Sequence, residues 1–127
     1  MLKYIELKTG YSDNGPAWVA RVTTSRSGRT IYFGSKALKR ATGGGTLGNH
    51  YDLETGDEYW VSGVKKDGLD RHSAGSGKVS IEAGAVAEYL AAVGASELDK
   101  STFTIVDDFA KAEPSQFYPA ENESLRE

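Results

Sequence analysis

The chain has 127 residues, enough for one domain with a real core and too few for two ordinary ones. It contains no cysteine, which excludes a disulfide scaffold, a thiolate zinc site and a cysteine nucleophile. No apolar run approaches a membrane span and no charged-then-apolar segment opens the chain, so the expectation is a cytoplasmic protein without membrane contact. The net charge of -3 hides an asymmetry: residues 1–80 carry 12 Lys/Arg against 8 Asp/Glu, and residues 81–127 carry 3 against 10. That pattern suits a basic surface followed by an acidic segment.

In chain order, residues 2–8 form a first strand, and the turn-rich residues 9–16 are unsuited to a helix. Residues 17–24 form the next strand. Ser25-Arg26-Ser27-Gly28 closes a hairpin onto residues 29–33, and Gly34-Ser35 fits a type II′ turn onto residues 36–40. Glu54-Thr55-Gly56-Asp57 reads as a hairpin tip leading into a strand from Glu58 to Lys66, and Asp67-Gly68 as a two-residue turn after it. Thirteen of the 15 glycines lie at or before Gly77, and the texture then changes. Val86, Leu90 and Val93 recur at helical spacing, with Gly94 as a stop, and predict a helix at about 83–93 covering the sheet. Residues 103–106 suit a last edge strand, and residues 112–127 read as a flexible acidic tail. The expected fold is mainly β: residues 1–111 as one domain, an antiparallel meander curled into a small barrel or strongly bent sheet, with one C-terminal helix.

Both histidines sit in mirror-image tripeptides, His50-Tyr51-Asp52 and Asp70-Arg71-His72, flanking the strand from Glu58. Pairing outward from the turns sets Leu53 opposite Glu58 and Gly63 opposite His72. Period-two alternation then places His50, Asp52, Tyr59, Val61, Gly63, Lys65, Asp70 and His72 on one face, read as wet, and Tyr51, Leu53, Trp60, Val64 and Leu69 on the other, read as core. Arg71 falls by parity on the core side, at a strand end or beside a bulge. The two imidazoles would lie about 10 Å apart on strands two removed, at about 4.8 Å per strand. That is too wide for one ion to be ligated directly unless the sheet curls strongly, so no metal site is assigned. Two histidines oriented by carboxylates, with Lys65 to offset developing charge, are the elements of a phosphodiester hydrolase. The plainest reading is that each histidine is merely hydrogen-bonded to a neighbouring Asp or to turn backbone.

Other motifs carry less. Gly43-Gly44-Gly45-Thr46-Leu47-Gly48 matches the dinucleotide fingerprint only formally, because a strand and turn follow where a helix is required. Gly75-Ser76-Gly77-Lys78 lacks the upstream glycine and the following hydroxyl of a P-loop. Arg21, Arg26, Arg29, Lys36, Lys39 and Arg40 cluster on adjoining hairpins, the best argument for RNA or single-stranded DNA as partner. The acidic pI of about 5.4 and the lack of an RNP or KH signature argue against it.

Three segments carry a family resemblance: residues 4–18 (Tyr4-Ile5-Glu6-Leu7-Lys8 through Gly15-Pro16-Ala17-Trp18), Gly28-Arg29-Thr30-Ile31-Tyr32-Phe33, and residues 51–66 (Tyr51-Asp52-Leu53-Glu54-Thr55-Gly56-Asp57-Glu58-Tyr59-Trp60 onward) with Asp70-Arg71-His72. Over roughly residues 4–80 the chain resembles a family of small stand-alone bacterial proteins of unknown function, some labelled deoxyxylulose-phosphate synthase. That label implies large paired α/β domains holding thiamine diphosphate and a metal, which a short chain of β-hairpins does not supply, so it is rejected. Members often carry tryptophan after the Asp-Arg-His triplet, where this chain has Ser73.

Together these readings favour a binding module without cofactor over an enzyme. The expected partner is a macromolecule or a small anionic ligand, met by His50, Asp52, Tyr59, Asp70, Arg71 and His72. The hydrolase (His50, His72, Lys65) and the nucleic-acid binder are the alternatives.

Overall fold

The computed structural model describes residues 1–8, 16–41, 48–64, 78–111 and 113–119. Nine strands follow in chain order: β1 (Leu2–Leu7), β2 (Ala17–Arg21), β3 (Thr23–Thr24), β4 (Thr30–Phe33), β5 (Lys36–Arg40), β6 (His50–Asp52), β7 (Glu58–Ser62), β8 (Val79–Glu82) and β9 (Phe103–Val106). A 3₁₀ turn, Ala83–Ala85, leads into helix α1 (Val86–Val93), and a second, Pro114–Phe117, follows β9. The strands form one sheet in the order β3-β4-β5-β6-β7-β1-β2-β8-β9. Only Val22 separates β2 from β3, yet β3 is an edge of the sheet and β2 lies deep within it. The sheet therefore curls into a half-barrel whose β3 edge turns back toward β2. Among the described residues, no helix is long and apolar enough to cross a membrane.

The hairpins follow their turn residues. Gly28 donates to the Ser25 carbonyl at 2.9 Å with a φ of 77°, and Gly34, with a φ of 56°, joins Phe33 to its partner Lys36. Such left-handed backbone carries little steric cost only for glycine. The β6–β7 hairpin departs from the expected register by two residues, with Tyr51 rather than Leu53 opposite Glu58. The cause is Asp52: its carboxylate accepts from the amides of Glu54 (2.8 Å) and Thr55 (3.4 Å), and its carbonyl accepts from Gly56. This Asx turn draws Leu53 out of the ladder and into the loop.

Two layers of core lie on opposite faces of the sheet. Inside the curl, Ile5, Ala20, Val22, Ile31, Phe33, Leu38, Tyr59 and Val61 pack together. On the outer face of β1, β2, β8 and β9, Tyr4, Val19, Val79, Ile81 and Phe103 pack against Tyr89 of α1, with Val86, Leu90 and Val93 at the margin. The helical spacing read from the sequence thus presents the expected face, and the helix ends at left-handed Gly94. Each aliphatic side chain buried in this way contributes about 1.5–3 kcal/mol.

Four further expectations change. The sheet is mixed rather than wholly antiparallel, because β8 runs parallel to β2 and to β9. Helix α1 supplies the crossover that a parallel β8–β9 pair needs, so it lies between strands and not at the C-terminus. The two faces of β6 and β7 exchange roles: His50, Asp52, Tyr59 and Val61 do share a face, but it is the buried one, while Trp60 is 43% exposed. The alternation carried the parity, and only the direction of curl decides which parity faces inward. Finally, Phe117, expected within the acidic tail, is buried against Ala37 and Tyr32, its ring stacked 5.9 Å from that of Tyr32.

Glu82 binds the layers together. Its carboxylate, 4% exposed, accepts from the backbone amide of Arg21 through Oε1 and from that of Phe109 through Oε2, both at 2.8 Å. Glu82→Gln points an amide N–H₂ at one of these donors. The variant should lose about 1–3 kcal/mol of unfolding free energy in a urea titration. Unchanged stability would show that neither contact is held in solution.

Candidate anion site

The two ends of the curl differ in chemistry. At one end Trp18, Phe33 and Phe109 close the interior, with ring centroids 5.4 and 5.3 Å apart along the series. At the other, where β1 and β6 begin and β5 and β7 end, lies a cavity of about 360 Å³ lined by Met1, Lys3, Thr24, Gly28, Ile31, Arg40, Asn49, His50 and Val61. Lys3 shares the inward parity of Ile5 on β1, and Arg40 is the direct cross-strand partner of His50. No carboxylate is among the described residues lining this cavity.

His50 is held by its neighbour. Asn49 Nδ2 donates to the Val61 carbonyl at 2.7 Å, and Asn49 Oδ1 accepts from the Val61 amide at 2.8 Å, so the orientation of the side-chain amide is fixed by backbone. The same Oδ1 lies 2.9 Å from His50 Nδ1. An acceptor there assigns the proton of neutral His50 to Nδ1 and leaves Nε2 as a free base. Burial first, then the charges of Arg40 and Lys3, lower the imidazole from 6.5 to about 4. Gly48, the one described member of the glycine-rich segment, has a packing role: a Cβ there would stand 2.4 Å from the Tyr59 carbonyl oxygen.

Of the other expected site residues, Asp52 and Tyr59 share the inward face of His50 but do not line the cavity. Asp52 is buried, and its Oδ2 receives Lys36 Nζ at 3.3 Å. Desolvation pulls the Lys36 ammonium down, but charge interactions with Tyr59 and Asp52 and the Asp52 hydrogen bond outweigh it and leave the group raised. Tyr59 is raised by burial, against the opposing pull of Lys36. Asp52 and Tyr59 are thus buried in the fold, while Lys36 is half-exposed. Lys65, Asp70, Arg71 and His72 lie outside the described residues, as do the Asp67-Gly68 turn and the Gly75–Lys78 motif as far as Gly77. Of the basic cluster, Arg21 pairs with Glu88 at 3.0 Å and Lys36 with Asp52, whereas Arg40 reaches the cavity. Arg26, Arg29 and Lys39 line a separate groove. Among the described residues, no three His, Asp or Glu side chains converge as a metal site would require.

Lys3 and Asn49 were not singled out from the sequence. Lys3 has a signal only in hindsight, its parity with Ile5, since nothing local says that β1 adjoins β7. Compared with family models, with curated proteins and with solved structures, the chain matches none.

The lowered pKa of His50 has a definite consequence for stability. Its folded value lies below the ordinary one, so between pH 4 and 6.5 the unfolded chain holds a proton that the folded chain rejects. Stability from this group is full above about pH 6.5 and falls as the pH drops toward 4, by about 3 kcal/mol at 1.36 kcal/mol per pH unit. His50→Gln should flatten that part of the urea-midpoint profile relative to the parent chain. Superimposable profiles would show that His50 titrates normally.

Proposed function

We propose that this protein is a binding module for an anionic ligand, held at the polar end of the half-barrel by Lys3, Arg40 and His50. The observation that carries the reading is a cavity in which a lysine, an arginine and an imidazole meet with no carboxylate among its described lining. Two cations brought together without a counter-charge in the lining repel, and a bound anion relieves that repulsion. The volume of about 360 Å³ lies at the small end of the range of ligand pockets and suits a phosphate, a sulfate or a compact phosphorylated or carboxylated metabolite. His50 adds a pH-dependent donor: its free Nε2 takes a proton when an anion offsets the field of Arg40 and Lys3. The ligand thus binds more tightly as the pH falls toward the imidazole's bound-state pKa. A cytoplasmic setting belongs to this reading, supported by a chain with no disulfide-forming residue.

Inorganic phosphate added during an NMR titration of the imidazoles should raise the apparent pKa of His50 by a unit or more, because the anion favours the charged form. Arg40→Met should itself raise the His50 pKa, by removing a cation, and should abolish the further rise with phosphate. A His50 resonance indifferent to phosphate and sulfate at tens of millimolar would refute the assignment.

A further inference from the structure

A second basic recess lies beside the first. It is a groove of about 500 Å³ on the outer face of the β3–β4 hairpin and β5, lined by Thr24, Ser25, Arg26, Ser27, Arg29, Thr30, Tyr32, Lys39, Pro114 and Tyr118. Its chemistry is uniform: three cations, four hydroxyl-bearing Ser and Thr residues and two tyrosines, with no carboxylate among the described lining. The oxygens of Ser25 and Ser27 accept from the amides of Thr30 and Arg29 within the turn, and their hydroxyl hydrogens, beside two guanidinium groups, are donors of the kind that contact phosphate oxygens. Tyr32 is buried under Phe117, but Tyr118, carried by the same docked segment, is 51% exposed at the groove. Packing of Phe117 into the outer core thus brings an aromatic face to a cationic floor. Thr24 lines both this groove and the cavity of Lys3, Arg40 and His50, so the two recesses meet across one residue of β3.

From this adjacency we infer that the anion is one phosphate of a single-stranded oligonucleotide, which crosses the hairpin at Thr24, sets its neighbouring phosphates against Arg26 and Arg29, and stacks a base on Tyr118. The inference rests on the anion-binding reading of the cavity and extends it. Arginine-lined grooves with an exposed aromatic ring take single strands without reading sequence, since every base has a stacking face and every nucleotide a phosphate. A duplex fits less well: its bases are already stacked and offer Tyr118 no partner. The acidic balance of the whole chain does not oppose this binding, because attraction at contact depends on the charges within a Debye length of about 10 Å.

The experiment is fluorescence anisotropy of a labelled twelve-residue oligothymidylate with the full chain, across a series of salt concentrations. With about four phosphates neutralised, by Lys3, Arg40, Arg26 and Arg29, the slope of log K against log salt should be about -3, at about 0.7 per contact for a single strand. Arg26→Gln with Arg29→Gln should lower that slope by about 1.4. Tyr118→Ser should weaken binding roughly tenfold and leave the slope unchanged. Circular dichroism of each variant establishes that it is folded. A flat salt dependence overturns the inference, as does a slope indifferent to the arginine pair. Equal affinity for poly-glutamate together with indifference to Tyr118→Ser overturns it too, marking a generic polyanion surface. If phosphate shifts His50 but the oligonucleotide does not bind, the inference fails and the anion-binding reading stands; if neither happens, both fail.

Discussion

The architecture depends on what happens at Val22. Both edges of β2 are engaged, by β1 and by β8, so the strand's continuation into β3 finds its partner β4 only because the sheet curls round to meet it. Val22 itself is 2% exposed within the inner core, and its amide donates to the Met1 carbonyl at 2.7 Å. A short break in a ladder of this kind lets a twisted sheet change direction without leaving buried amides unpaired. Every later property of the site follows from the curl, because it decides which face of β5, β6 and β7 becomes interior.

An interior built from inward-facing strand residues has to accommodate the polar ones among them, and here they are disposed by position along the barrel. Midway, apolar residues fill the space. At the closed end Asp52 is compensated within the fold, by two turn amides and by Lys36. At the open end the inward positions hold Lys3 and His50, with Arg40 on the rim, and no described acidic side chain joins them. The two ends therefore handle charge differently: buried Asp52 is paired within the fold, whereas at the open end Arg40 is exposed and Lys3 half-buried, with no acidic side chain in the described lining. Buried charge is tolerated when paired, as Asp52 is by Lys36 and the turn amides.

The outer face adds a second layer of consequences. Phe117 packs on Tyr32 and Ala37, covering the outside of β4 and β5 much as α1 covers the outside of β1, β2 and β8. Both coverings come from the C-terminal third of the chain, so the N-terminal hairpins form the curl and later segments seal it. Glu82 joins the two, holding the β2 backbone with one oxygen and the segment after β9 with the other.

The strands other than β8, the glycine-bearing turns, the helix over 83–93 and the common face of His50, Asp52, Tyr59 and Val61 were legible from residue order alone. Each rests on local chemistry: period-two alternation, left-handed glycine, helical spacing of Val86, Leu90 and Val93. The Asx turn that shifts the β6–β7 register by two residues was half legible, since Asp52 stands at the hairpin but its competition with the ladder shows only once the carboxylate is buried. Which face is inside, that β8 runs parallel beside β2, and that Lys3 meets Arg40 and His50 were not legible. Those depend on pairings between segments distant in the chain, and no local pattern encodes them. The sequence by itself determined most of the elements and their parities; tertiary structure alone decided the place of β8 and the direction of curl, because the burial of either face satisfies the alternation and only the closure of β3 onto β4 selects between them.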